Sequence, residues 1–341
     1  MPAGEGCRVA LGRGRARRWR WTAALLVLAA WLLASACTAP ASVAPDPTPV
    51  RPPPTRPALD GEPAASARLL STERQPPTVT APTATPAPQV APGSDLTLDE
   101  FFVHVPPSTD GQLQVLVALH GMEGNGPAFA RPLIARADRE GWLLVAPTFE
   151  YGDWQDPAQL IREECSGFIP RLYAFLNELP GRTGLDLAPR VVIFGASRGA
   201  QLAHRFALVY PERTRALALM AGGVWTLPQR EVVTDGQRSV LPYPFGAGDL
   251  RERFGRELNE GALRRVLFWV GVGANDNDPR EVPRQWDPLL GNNRLARAQA
   301  FVRRLGELGA RAQLTVFPGV GHTLTDEMRA QALDFLATTD S

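Results

Sequence analysis

The sequence contains no lysine; its 36 basic residues are all arginine. That absence excludes a Walker A phosphate loop, a Schiff-base amine and a Ser-Lys dyad, each of which needs the ε-amino group. Histidine is scarce, with four in 341 residues, so any imidazole base is His104, His120, His204 or His322. The three cysteines, Cys7, Cys37 and Cys165, form no CxxC pair, and HExxH does not occur. Neither a zinc ribbon, a redox dithiol nor a zincin helix is indicated, and no metal is expected. A formal net charge of +1 supplies no basic field for nucleic acid, so no such partner is expected.

What is present is unevenly spread. Arg8, Arg13, Arg15, Arg17, Arg18 and Arg20 crowd the start, and residues 21–36 are apolar and uncharged. A basic start, a short apolar run and small residues at its end describe a secretory signal, too short for a stable membrane span. Ala34-Ser35-Ala36-Cys37 resembles a lipoprotein cleavage site, although Ala34 stands where leucine is usual and Leu33 is one place early. The expectation for 1–37 is export, with Cys37 lipidated and the protein tethered outside the cell membrane. Cleavage without lipidation would secrete it, and an uncleaved anchor is the third outcome. Residues 38–93 are rich in Pro, Ala and Thr and hold nearly half of the 33 prolines. Such a segment has too little apolar surface to offset its ordering entropy, and reads as a disordered spacer.

From 94 to 341 the pattern is that of a folded domain. Apolar runs at 101–105, 113–118, 142–146, 191–194, 215–220, 266–272 and 313–317 read as strands. They alternate with helical patterns over 127–140, 158–179, 201–210, 295–308 and 325–337. Alternation of this kind predicts an α/β domain with a mostly parallel sheet covered on both faces. The stretch 224–261, with Trp225, Pro228, Pro242, Tyr243, Pro244 and Phe245, breaks the alternation and reads as a cap or loop insertion.

The chemistry concentrates at Gly195-Ala196-Ser197-Arg198-Gly199, which follows Val191-Val192-Ile193-Phe194 and precedes a helical pattern. Strand, G-x-S-x-G, helix is the context of a nucleophile elbow, in which small neighbours let a serine sit on a sharp turn. A serine hydroxyl needs a base, the base an orienting carboxylate, and the oxyanion fixed donors. His322, in a glycine-rich loop after the last strand, is the candidate base. His204 lies two turns beyond Ser197 and points away, while His104 in the first strand is read as a packing or surface residue. Asp276, just past the 266–272 strand, is the candidate acid, ahead of Asp278 and Asp287. The loop lacks EF-hand spacing. In His120-Gly121-Met122 the glycine permits a turn that aims amides at the serine. The amides of Met122 and Arg198 are the expected oxyanion donors, and His120 is structural. Cys165, within a sheet-covering helix, is expected to be an inert thiol.

These residues make the chain resemble the α/β-hydrolase superfamily from about Leu96 to Ala337. The likeness is carried by V-A-L-H-G-M, G-A-S-R-G-A, Y-P-E-R-T-R-A-L-A-L-M-A-G-G, V-G-A-N-D and F-P-G-V-G-H. Within the superfamily it looks most like esterases related to polyhydroxybutyrate depolymerases and dienelactone hydrolases. The resemblance implies an eight-stranded sheet, a Ser-His-Asp triad and no cofactor. It departs in Arg198, which stands where smaller residues are frequent and would either attract an anionic substrate or pair structurally. Serine also replaces the cysteine nucleophile frequent in dienelactone hydrolases. The expected activity is hydrolysis of small-molecule or polymeric carboxylic esters through an acyl-enzyme. The alternatives are a non-catalytic binding lipoprotein on this scaffold, or a peptidase or acyltransferase using the same residues.

Overall fold

The computed structural model describes residues 90–338; the expected signal segment, Cys37 and nearly all of the 38–93 spacer lie outside the described residues. In chain order the strands are β1 (Asp95–Leu98), β2 (Phe101–His104), β3 (Val115–Leu119), β4 (Leu143–Pro147), β5 (Val191–Ala196), β6 (Thr214–Met220), β7 (Glu231–Thr234), β8 (Gln237–Val240), β9 (Leu267–Gly273) and β10 (Arg311–Phe317). β7 and β8 form a separate antiparallel hairpin. The other eight make one sheet in the order β1-β2-β4-β3-β5-β6-β9-β10. β2 runs antiparallel to β1 and β4, and every later pairing is parallel.

The central strands β3, β4 and β5 are buried along their whole length, as near-continuous apolar runs dictate in a sheet covered on both faces. Alternation divides them. Val117, Leu119 and Ile193 face helices α2 (Ile169–Thr183), α3 (Arg198–Val209) and α4 (Arg294–Leu308). Leu116, Ala118 and Phe194 face α1 (Ile134–Glu140) and α5 (Asp326–Ala337). The chain leaves β3 toward β4 but returns on the other side as β5. The crevice beyond the carboxyl ends of β3 and β5 is therefore a topological switch point, the place where such sheets bind ligands.

Two local features differ from the sequence reading, and the 224–261 stretch is partly buried. β1 is a short, half-exposed edge strand, too weakly patterned to stand out. The helix expected over 158–179 is broken in register: Pro157–Glu163 is α-helical, Glu164–Phe168 is a π turn, and α2 resumes at Ile169. Pro170 has no N–H to return to the carbonyl four residues back, and the ladder widens just before it, with the Ile169 amide reaching Glu164. The stretch 224–261 exposes its β7–β8 hairpin and, further on, Arg251, Glu252, Gly255 and Glu257. Trp225, Leu227, Leu241 and Tyr243 are buried on the α3 side of the core, with Trp225 stacked on Phe301 of α4 at 4.5 Å.

Candidate active site

Ser197 is the hinge between β5 and α3, with φ +51° and ψ −114°. A non-glycine residue in that conformation carries strain of about 1–3 kcal/mol and persists only where its surroundings dictate it. Here they do. A Cβ on Gly199 would lie 1.9 Å from the Leu119 carbonyl oxygen, and one on Gly195 would lie 2.7 Å from the Gly199 carbonyl oxygen. The Ser197 amide donates to the Met220 carbonyl at 2.8 Å. The two glycines of the motif thus let α3 press against β3 and β5, and the serine takes up the turn.

The loops after β9 and β10 bring the other groups to it. A Cβ on Gly273 would meet the Val320 carbonyl oxygen at 2.2 Å, so only glycine permits this approach. The Ala274 amide donates to Phe317 and the Asn275 amide to Val320, at 2.9 and 2.8 Å. Across this seam His322 Nδ1 lies 3.0 Å from Asp276 Oδ2, and His322 Nε2 lies 3.2 Å from Ser197 Oγ. A carboxylate only accepts, so Nδ1 carries the proton and Nε2 is left to accept from the serine hydroxyl. Asp276 is 2% exposed. Asp278 is turned elsewhere: it caps the turn Pro279–Glu281 and pairs with Arg280, whose hydrogen bonds pull its carboxyl down to about 2. Asp287 pairs with Arg297 at 2.9 Å.

Of the remaining histidines, His120 and His204 hold backbone, and His104 pairs with side chains. His120 Nδ1 donates to the Gly121 carbonyl at 2.7 Å while its Nε2 accepts the Phe149 amide at 3.1 Å; burial keeps it neutral, below its ordinary range. The Gly121–Met122 peptide is planar and trans, so fixing its carbonyl on one side turns the Met122 N–H to the other. A Cβ on Gly121 would lie 3.4 Å from Ser197 Cβ, which places this loop against the elbow. Arg198 is the first residue of α3, where amides have no intrahelical acceptor. His204 is wholly buried, donates to Ala200 and accepts the Thr226 amide at 2.8 Å; burial, then Arg205, holds it well below its ordinary range. His104 lies between Asp95 at 2.6 Å and Asp138 at 2.7 Å.

The Arg198 side chain turns inward. It pairs with Glu164, which is 0% exposed and also binds Arg205 at 3.0 Å and the hydroxyl of Tyr243. Burial works against the charge on Glu164, but Arg205 and Arg198 outweigh it and hold the carboxyl below its ordinary range. Arg205 also donates to Thr226 Oγ1, which donates to the Pro244 carbonyl at 2.7 Å, so the cluster ties the 224–261 stretch to the back of the elbow. Of the two readings of Arg198, structural pairing is the one seen. Cys165 sits in the π turn beside Glu164, and burial pushes its thiol up to about 12, which leaves it unreactive. Among the described residues no group of three or more His, Cys, Asp or Glu is placed to hold a metal ion.

Sequence reasoning did not find Arg294, Glu281 or Glu164. Arg294 had one signal. An arginine at the first position of a helix opposes the helix dipole, so it needs a carboxylate partner. It has two, Asp276 and Glu281.

No family model matches the sequence. A feruloyl esterase B from Neurospora crassa is 26% identical over 259 residues, which span 70% of this chain and 84% of the relative. The poly(aspartic acid) hydrolase-1 of Sphingomonas sp. KT-1 has a similar structure, with a TM-score of 0.54 at 18% identity over 72% of this chain and 98% of the other. LpqC, a poly(3-hydroxybutyrate) depolymerase from Bordetella parapertussis, aligns with a TM-score of 0.52 at 24% identity over 70% and 82%. Sheet order, elbow and sequence likeness agree: this chain has the α/β-hydrolase fold and is similar to ester-cleaving enzymes of that superfamily.

Proposed function

We propose that the chain is an extracytoplasmic serine hydrolase that cleaves carboxylic esters through an acyl-enzyme. The observation that supports this above all is the unbroken line from Ser197 Oγ to His322 to Asp276 at 3.2 and 3.0 Å. Ser197 Oγ attacks the ester carbonyl as its proton passes to His322 Nε2, and Asp276 stabilises the imidazolium. The amides of Arg198 and Met122 receive the oxyanion. Collapse returns the proton from Nε2 to the leaving alkoxide. Water, deprotonated by the same nitrogen, then releases the acid and restores Ser197. The likeness to a feruloyl esterase favours esters over peptides. The export pattern of residues 1–37 supports a membrane-tethered location through Cys37.

A fluorophosphonate probe should label the wild type and not Ser197→Ala. Equal labelling of both would end the proposal. A panel of p-nitrophenyl esters, polyesters and peptides ranks the substrate classes. Cys37→Ala should release the protein from the membrane fraction; continued membrane retention would remove the lipid tether.

A further inference from the structure

Two carboxylates share Arg294. Its Nη1 donates to Asp276 Oδ1 at 3.0 Å and to Glu281 Oε2 at 2.7 Å, and its Nη2 donates to the Glu281 carbonyl at 2.8 Å. The other oxygen of Asp276 holds His322. One line of hydrogen bonds therefore runs from Glu281 through Arg294, Asp276 and His322 to Ser197. Its ends differ in access to water. Arg294 is 9% exposed, whereas the Glu281 side chain is 49% exposed. The other charges facing Arg294 are closed on one another: Asp278 with Arg280, and Asp287 with Arg297 and Arg284.

We propose that Arg294 is a positioning residue that sets how much of the Asp276 charge reaches His322, with Glu281 as its outer counterweight. The proposal rests on the esterase reading of Ser197, His322 and Asp276. The guanidinium acts on the carboxylate as a fixed positive field. Its bond to Oδ1 fixes the carboxylate plane and leaves Oδ2 facing Nδ1. Its charge cancels part of the field that would otherwise stabilise the imidazolium. Glu281 restores part of what Arg294 cancels. The two residues should therefore act on the imidazole with opposite signs.

The test is the pH profile of kcat/KM on a soluble ester, whose acidic limb reports protonation of the base. It uses the full chain and its Arg294→Gln, Arg294→Lys and Glu281→Gln variants. Arg294→Gln should move the acidic limb to higher pH by about half to one unit, with kcat down about tenfold and KM changed less than about threefold. Glu281→Gln should move it to lower pH by a smaller amount. Arg294→Lys keeps the charge and should leave the limb in place. Limbs that stay put, or that move the same way in both glutamine variants, overturn the proposal. If Arg294→Gln melts at assay temperature, the Glu281→Gln shift and the unmoved Arg294→Lys limb decide it. Ser197→Ala is measured in parallel. Residual turnover there overturns the esterase reading itself, whereas loss of turnover with unmoved limbs overturns only the role of Arg294.

Discussion

Two clusters of acid and arginine flank the elbow, and they differ in access to water. Behind Ser197, Glu164 with Arg198, Arg205 and Tyr243 is sealed; beside His322, Asp276 with Arg294 opens to solvent at Glu281. A lone charge in the interior is costly, and here Glu164 offsets both guanidiniums while Glu163 lies 3.7 Å from Arg198. The sealed cluster can clamp, and it holds α3, the π turn and the 224–261 stretch together. A cluster with one wet end keeps its outer carboxylate in contact with water. That cluster is the one that touches the imidazole. The same residue types thus form a buried clamp behind the serine and, in our proposal, a positioning pair beside the imidazole.

The sharpest way to break the comparison is to disarm the open cluster without unfolding it. Asp276→Asn should lower kcat by about 10⁴, because an asparagine amide no longer holds the tautomer that leaves Nε2 free. A loss below tenfold in steady-state kinetics would show that this carboxylate is no part of the machinery. In the sealed cluster the effect should fall on stability. Glu164→Ala strands two buried guanidiniums and should cost about 3–5 kcal/mol, read from denaturant unfolding; a cost under about 1 kcal/mol would mean that water reaches the site.

His104 offers an intermediate case, an imidazole between two carboxylates at the antiparallel edge. Burial lowers its affinity for protons, but the hydrogen bonds and charges of Asp138 and Asp95 outweigh it, so the net shift is upward. A raised folded value means that the stabilisation is fully present below the unfolded value of about 6.5 and is lost as pH rises through the folded one. Unfolding midpoints measured across that window should fall with rising pH, and His104→Gln should remove that dependence. The smallest effect belongs to Asp278→Asn, whose carboxylate is spent on exposed Arg280. Turnover should stay within about twofold, as for other exposed pairs; a larger loss would make Asp278 a partner of His322.

Much of this arrangement was legible in the chain. The apolar runs gave the central strands, and the G-x-S-x-G setting placed Ser197 between strand and helix. The candidates His322 and Asp276 came from loops following strands, and the structure sets His322 beside Ser197 and Asp276 beside His322. The edge strand β1 and the π turn were not legible, the first because four alternating residues carry little signal, the second because its cause lies in one missing N–H. The long-range ion pairs were hidden for another reason. Glu164 is 34 residues from Arg198, and Asp276 is 18 from Arg294. No local pattern links groups that meet only because two elements pack together.

The sequence by itself determined the central strands and their alternating helices, the G-x-S-x-G setting of the serine and the scarcity of imidazoles, since these follow from periodicity, small-residue spacing and composition. Only the tertiary structure decided which aspartate faces His322, that Arg198 turns inward, and that Arg294 stands behind the acid. Each of those choices depends on how closely distant backbones approach. At Gly199 and Gly273 that approach is set by the absence of a single Cβ.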